Sequence, residues 1–288
     1  MIVRSASMGD LAAITALQRR WDVAAFGDAE HDESEVREEL ERIRSFDEHS
    51  RLVFDGDRLI AAAWRWSTEA TLLIEPGVDP QPLHAELLSW FEQQQARALS
   101  VLSTDERLRA ALGARGWRHT RSTFELLRST GPDWEIPEPA WDPGIVVGGY
   151  RAEDAAALYH LIYVDAAWAD VPGHHPRAFD EWRDIFITDA TVPEHQVLAW
   201  RGERLVGASL GRMYTGDVGW IAQLAVARDQ RGRGLGRALL VESLRRRAVA
   251  GAKSLGLGVL AENRAALQLY LDVGLRIDRE WQDFEPPR

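Results

Sequence analysis

Three blocks of this chain occur twice, in the same order, and that duplication limits the fold more than any other feature. "IVRSASMGDLAAI" from Ile2 resembles "VVGGYRAEDAAAL" from Val146: a β-like run, then an Asp (Asp10, Asp154) opening an apolar-periodic helix. "RLVFDGDRLIAAAW" from Arg51 resembles "QVLAWRGERLVGASL" from Gln196, each two strand-like runs joined by a short glycine turn. "ALGARGWRHTRSTFEL" near Ala111 resembles "YLDVGLRIDREWQDFE" near Tyr270, each a helix end, a glycine stop (Gly116, Gly274) and a last strand. The separations are 144 residues from Asp10 to Asp154, 146 from Gly56 to Gly202 and 158 from Gly116 to Gly274. The second copy is thus longer by about a dozen residues, all between its hairpin and its closing glycine. "STGPDWEIPEPAWDPG" separates the copies; it is rich in proline, glycine and acid and has no period. These patterns predict a first domain over 1–128, a linker at 129–144 and a second domain over 145–288.

Composition excludes several function classes. The 288 residues carry no cysteine, so disulfides, thiolate catalysis and cysteine-bound zinc are impossible, which fits a cytoplasmic protein. A formal charge of −11 argues against nucleic acid as the main partner. The N-terminus lacks a signal-peptide core, and no window reaches the roughly 18 consecutive apolar residues of a membrane span, so no membrane association is expected. Five of the twelve tryptophans (Trp141, Trp168, Trp182, Trp200 and Trp220) fall between residues 141 and 220, as core packing or as the lining of an acceptor pocket.

The extra length of the second copy contains "LAVARDQRGRGLGRALL", Leu224 to Leu240, with three glycines and four arginines in an otherwise acidic chain. "GWIAQLAVA" before it is apolar and β-branched and predicts a strand. From Leu235 the pattern turns helical, with Leu240, Leu244 and Ala248 on one face and Arg245, Arg246 and Arg247 mostly on the wet side. A helix N-terminus has unpaired N–H groups and partial positive charge. Gly232, Gly234 and Gly236 let a ligand reach the backbone without meeting a Cβ, and Arg231, Arg233 and Arg237 add full charges. The joint is an anion cradle suited to phosphate. A Walker loop needs Gly-Lys-Ser/Thr at the helix start, and a dinucleotide fold needs Gly-x-Gly-x-x-Gly early in a parallel unit; neither fits.

Arg231-x-x-Gly234-x-Gly236 after an apolar strand resembles the acetyl-CoA loop of the GNAT acyltransferase family. "LGVLAENRAALQLYLDVGL", Leu257 to Leu275, carries Asn263-x-x-Ala266-x-x-Leu269-Tyr270 and then Gly274, similar to the strand and helix that follow the loop in that family. The likeness covers Val146 to about Phe284 well and Ile2 to about Leu127 in outline, as in tandem members of the family. It implies two fused α/β domains, each a mixed, mostly antiparallel sheet flanked by helices, with the second as the catalyst.

The resemblance also implies roles. Arg231, Gly232, Arg233, Gly234, Leu235, Gly236 and Arg237 would wrap the CoA pyrophosphate. Leu224, Ala225 and Val226 would offer backbone groups to the pantetheine arm. Asn263 would touch the cofactor or simply cap a helix. Tyr270, a phenol with pKa near 10, would protonate the departing CoA thiolate; aligned from its glycine, the first copy has Leu112 in the tyrosine's place and Asp105 in the asparagine's. Trp220 occupies a position that is acidic in one tandem member of the family, so the base is open among Asp217, Glu262, His174 and His175. The adjacent His174 and His175 point opposite ways in extended chain, and no metal site is expected; their stretch, Ala169 to Trp182, reads as a lid near the acceptor.

The expectation is an acetyl-CoA-dependent N-acetyltransferase acting on a small-molecule primary amine by direct attack, as a monomer with an internal pseudo-dimer or as a homodimer. The first copy, lacking loop, asparagine and tyrosine, would be structural and pocket-forming. The rival reading is a non-enzymatic acyl-CoA-binding sensor or scaffold.

Overall fold

The computed structural model describes residues 1–66, 69–166, 168, 176–188 and 191–287, and it divides into two compact units. The first comprises residues 1–123 with 279–288, the second residues 124–278.

Unit 1 contains β1 (Ile2–Arg4), α1 (Leu11–Phe26), α2 (Glu33–Glu41), β2 (Ser50–Asp55), β3 (Arg58–Trp66), β4 (Glu69–Ile74), α3 (Gln81–Gln93), β5 (Ala98–Leu102) and α4 (Glu106–Ala114). Strand β6 (Arg118–Ser129) starts in this unit and ends in the other. Unit 2 contains β7 (Ile145–Gly148), α5 (Ala155–His160) with a π-helical turn at Leu161–Asp165, α6 (Phe179–Phe186), β8 (Val197–Arg201), β9 (Arg204–Tyr214), β10 (Val218–Val226), α7 (Leu235–Val249), β11 (Ser254–Leu260) and α8 (Arg264–Val273). Strand β12 (Arg276–Glu285) starts there and ends in unit 1.

The sheets have the mixed, mostly antiparallel character that the resemblance implies. In unit 1 the order is β1-β2-β3-β4-β5-β12; only β4–β5 is parallel among the assigned pairs. In unit 2 the order is β6-β11-β10-β9-β8-β7, and β10–β11 is the parallel pair. Both predicted hairpins form. Gly56 (φ +59°) and Gly202 (φ +60°) turn β2 into β3 and β8 into β9, a backbone region that L side chains rarely adopt. Asp10 and Asp154 stand at the N-termini of α1 and α5, where their carboxylates accept from the Ser7 amide (2.9 Å) and the Arg151 amide (2.8 Å).

Helices cover both faces of each sheet. In unit 1, Ile14, Leu17 and Leu40 pack on one side, and Leu87, Phe91 and Leu112 on the other. In unit 2, Leu158, Ile162 and Trp182 fill the α5–α6 side, while Leu240, Leu244, Tyr270 and Val273 fill the α7–α8 side.

The compact units divide at other places than the sequence patterns suggest, because each terminal strand crosses over. Trp281 to Phe284 of β12 pair with β5, and β6 lies beside β11. The segment expected as a linker is packed down on unit 2. Trp134 is buried in the α7–α8 core and donates Nε1–H to the Val273 carbonyl (3.1 Å), and Arg245 pairs with Glu138 (2.8 Å).

One expectation is corrected. Arg247 does not face water: it is wholly buried beneath the sheet. Two glycines make the room, since a Cβ on Gly211 would stand 2.7 Å from its Nη2 and one on Gly219 would stand 3.0 Å from its Cβ. Its Nη1 donates to the His195 carbonyl (3.1 Å) and to the Ser243 Oγ (2.6 Å), while Nε and Nη2 have no partner among the described residues. Burial, reinforced by the nearby Arg246 charge, depresses its pKa to about 10. A buried cation without a carboxylate gains little from its charge. Replacing Arg247 by Met is therefore expected to leave the unfolding free energy within about 1 kcal/mol of wild type, or to raise it. Urea denaturation checks this, and a loss above about 3 kcal/mol would show that the guanidinium is essential to the fold.

Candidate active site

The site of unit 2 begins where two parallel strands separate. β10 pairs with β11 only from Val218↔Ser254 to Ile221↔Leu257, although it stays paired with β9 as far as Val226. The register with β9 shifts between Ile221 and Gln223. The side chains record the same slip. Ile221 and Leu224 both pack toward α7 and α8, whereas Ala225 packs toward α5 and α6, so Ala222 is the extra residue of a β-bulge. Beyond the bulge, the edge of β10 at Gln223–Val226 lacks β11 as a partner; the backbone groups of Leu224 and Val226 face the opening wedge, whereas those of Ala225, in register with Ala208, turn to β9, which corrects the expectation for Ala225. Ala222 and Gly258 are exposed although they lie in interior strands of the sheet. Together they floor a cleft on the α5–α6 side.

The wedge ends on the glycine turn. Gly232 (φ +74°) and Gly234 (φ +81°) both need the left-handed backbone, and α7 starts directly after them. The first helical hydrogen bond outside the helix body runs from the Ala238 amide to the Gly234 carbonyl (3.0 Å). The amides of Gly232 to Arg237 make no such bond, and they precede a fifteen-residue helix whose dipole favours an anion. Gly236 is a different case. Its φ is ordinary, and an added Cβ would find only normal contacts with Val226 Cγ2 (3.7 Å) and Leu269 Cδ2 (3.8 Å). The protein's own packing does not require glycine there, whereas close approach of a ligand would.

The arginines divide. Arg233 and Arg237 are exposed and make no ion pair among the described residues. Arg231 folds back, its Nη2 donating to the Ala166 carbonyl (2.6 Å) and its Nε to the Val226 carbonyl (3.3 Å). It ties the glycine turn to the end of the π-helical turn and is a brace rather than a loose charge.

Asn263 caps α8, its Oδ1 accepting from the Ala266 amide (3.2 Å). Asp105 caps α4 in unit 1 in the same way, through the Leu108 amide (2.9 Å). Tyr270 lies on α8 in the α7–α8 core, where burial pushes its pKa up to about 12. Its hydroxyl has no hydrogen-bond partner among the described residues and is not sealed from solvent. The corresponding Leu112 of unit 1 is wholly buried.

The candidate bases are dispersed. Asp217 stands before β10 and pairs with Lys253 (2.8 Å), Glu262 is exposed beside the α8 cap, and His174 and His175 lie outside the described residues, as does much of the expected lid. Trp220 lies on the cleft side of β10, where a Cβ on Gly256 would come within 3.0 Å of its ring. The sequence reading missed Gln223. It is buried on the α5–α6 side, and its Oε1 accepts from the Trp182 Nε1 (3.1 Å) among Tyr159, Phe179 and Phe186. A polar residue inside an apolar strand was the available signal.

Unit 1 repeats the wedge but not the cradle. β4 pairs with β5 only at Glu69–Ala70, then the strands part. The following turn carries Pro76 and Pro80 and the first turn of α3 carries Pro82, all without an amide N–H, and Asp79 already accepts from the Gln81 amide (3.1 Å) at the start of α3. Buried Glu75 adds negative charge. Burial raises its pKa, but bonds from Arg20 (2.8 Å) and Arg58 (2.7 Å) more than reverse this and keep it ionised. The turn therefore offers an anion few bare amides, and the nearby Arg20 and Arg58 are already engaged by Glu75.

Comparison with known proteins agrees with this geometry. Residues 156–275 match the acetyltransferase (GNAT) family. A mycothiol acetyltransferase of Streptomyces scabiei (strain 87.22) is 30% identical over 162 residues, 51% of this chain and 48% of that protein, so the chain spans about half the length of this curated relative. A GCN5-related N-acetyltransferase from Sphaerobacter thermophilus shares the fold with a TM-score of 0.82 at 23% identity, over 99% of this chain and 96% of the other. A tandem GNAT protein from the clavulanic acid biosynthesis pathway does so with a TM-score of 0.72 at 15% identity, over 98% and 97%.

The glycines provide a test. Gly236→Ala is expected to fold with an unchanged melting temperature yet bind coenzyme A at least about tenfold more weakly, while Gly234→Ala loses about 1 kcal/mol of stability as well. Calorimetric titration and thermal melts separate the two effects. Full affinity in Gly236→Ala would mean that no ligand approaches this turn.

Proposed function

We propose that the chain is a tandem member of the acetyltransferase (GNAT) family and that its second unit transfers an acetyl group from acetyl-CoA to a primary amine by direct attack. The observation that carries this reading is the edge of β10 at Leu224 and Val226, left without β11, together with the bare amides of Gly232–Arg237 at the start of α7. Together they suit a ligand with amides along an arm and a diphosphate at one end. The arrangement fits acetyl-CoA because it is dry on the α7 side, where Leu235 and Leu239 are buried, and positively polarised at its end. When bound, acetyl-CoA supplies an activated acyl carbon. Residues Leu224 and Val226 orient the arm, Gly232 to Arg237 hold the diphosphate, and Arg231 keeps the turn in shape.

Tyr270 remains a neutral phenol across the physiological range, because burial moves its pKa upward. Complete proton loss to a thiolate of pKa about 8.5 would be uphill by several units. Its part is therefore to donate a hydrogen bond to the sulfur as negative charge develops there, stabilising the departing group. With no cysteine in the chain, a covalent thioester on the enzyme is not part of the route. Unit 1, with prolines and carboxylates in the equivalent turn, serves structure and not a second transfer.

One feature favours the rival reading of a non-catalytic acyl-CoA sensor: Trp220 stands on the cleft face of β10 where an acid would serve as base. Turnover decides between them. With acetyl-CoA and a panel of glucosamine, ethanolamine, benzylamine and glycylglycine, thiol release is expected for at least one amine, and Tyr270→Phe should lower kcat by roughly 10²-fold with little change in coenzyme A affinity. Tight binding of acetyl-CoA without turnover of any amine would support the sensor.

A further inference from the structure

We propose that Glu125, contributed by the strand that precedes the linker, is the general base of the unit 2 site. The inference rests on the acetyl-transfer reading above and supplies the base that β10 lacks.

The position of Glu125 follows from three observations. First, the face. Phe124 and Leu126 pack into the α7–α8 core, so alternation along β6 turns Glu125 and Leu127 to the α5–α6 side, the side of the cleft. Leu127 confirms the direction, since its Cδ1 would lie 2.8 Å from a Cβ on Gly256, beside the Trp220 ring. On β11, Leu255, Leu257 and Val259 face α7 and α8, so Gly256 and Gly258 face the cleft as well.

Second, the register. The Thr130 amide donates to the Lys253 carbonyl (2.9 Å), and the Leu126 carbonyl and Leu127 side chain crowd Gly256. As numbers fall along β6 they rise along β11, so the strands run antiparallel and Glu125 comes opposite Gly258. The duplication gives the same answer independently. Adding the offset between Gly116 and Gly274 maps Glu125 to Asp283 and Ser100 to Gly258, and in unit 1 Asp283 is paired with Ser100.

Third, the space. Gly258 is the first residue of β11 beyond its last pairing with β10, so it marks the mouth of the wedge. It is exposed and has no side chain to stand between Glu125 and the bulge at Ala222. One strand spacing of about 5 Å separates the Glu125 backbone from this opening, which a glutamate side chain spans. Glu125 itself is half-buried. All of these residues belong to unit 2.

The proton balance is complete. An acceptor ammonium entering over Gly258 gives one proton to the Glu125 carboxylate and becomes a nucleophilic amine. A C–N bond then forms at the acyl carbon, the C–S bond breaks, and the second nitrogen proton ends on the sulfur. Glu125 returns its proton to solvent. No oxidant, metal or further reactant is needed.

The test replaces Glu125 by Gln in the full chain, with Glu125→Asp as a second variant that keeps the carboxylate. The acceptor is the panel amine that wild type acetylates fastest or, if none is acetylated, water, read as thiol release from acetyl-CoA. Coenzyme A affinity is expected to stay within about twofold in both variants, since the wedge and glycine turn are untouched, and this also reports folding. In Glu125→Gln, kcat/KM for the acceptor should fall by roughly 10²-fold at pH 7, and with an amine the deficit should shrink as pH rises and the amine deprotonates unaided. Glu125→Asp should recover part of the rate. A readout apart from turnover is calorimetric binding of ethanolamine to the coenzyme A complex, which should weaken by about tenfold when the carboxylate is removed. A loss smaller than threefold at pH 7, or an equal loss at every pH, would overturn the assignment of Glu125 while leaving acetyl transfer in place. Absence of acetyl-CoA binding in wild type would instead overturn the reading beneath it.

Discussion

Everything at the proposed site depends on the parting of β10 from β11 after Ile221. Two parallel strands inside a sheet ordinarily satisfy each other's backbone groups, and leaving them unsatisfied has a cost of the order of a hydrogen bond each. Here the bulge at Ala222 supplies the geometry. One extra residue turns β10 away while its pairing with β9 continues to Val226. The open main-chain groups are what a ligand rich in amides can pair with, and the glycine turn lies at the end of the same strand. Packing on the α7 side, where Leu224 and Val226 meet Leu235 and Leu239, fixes the far wall. The wedge is thus held open by hydrophobic contacts that do not themselves need the ligand.

The two copies show which part of such a scaffold carries selectivity. Both units separate their parallel pair, and both cap the following helix with an Asx residue, Asp105 or Asn263. They differ at the tip. Unit 2 presents bare amides with left-handed glycines; unit 1 presents prolines, a self-capped helix start and a carboxylate neutralised by Arg20 and Arg58. The same framework presents unpaired amides in one copy and almost none in the other, through a few residues in a turn.

Local features were legible in the sequence, and non-local ones were not. Gly56, Gly202, Gly234 and Gly274 announced their turns because positive φ is a demand that few other residues meet. The strand–turn–helix order at Leu224 to Leu240 followed from periodicity. Arg247 misled because an arginine on a helix normally marks the wet face, and only the two glycines across the sheet, Gly211 and Gly219, reveal the space made for it. The strand exchange was invisible for a related reason. "TFELL" and "WQDFE" have the same alternation, and nothing in a short β pattern names its partner. Trp134 shows the converse, a proline-rich stretch that reads as a tether but holds a core residue.

That exchange also bears on what a catalytic unit is in this chain. By sequence alone the second copy, from residue 145 onward, looks self-sufficient. Yet the compact body around the wedge includes residues 124–129, which pair beside β11 and close its edge. Remove them and β11 exposes a row of unpaired backbone groups along with the apolar face of Leu255, Leu257 and Val259. Leu126, wholly buried in that same core, would go with them. The first copy therefore persists for a reason that its degenerate turn does not suggest. Its last strand is a structural member of the second unit, and the acid carried on that strand, Glu125, faces the cleft. The edge of β11 thus depends on the first copy's closing strand and not on that copy's turn.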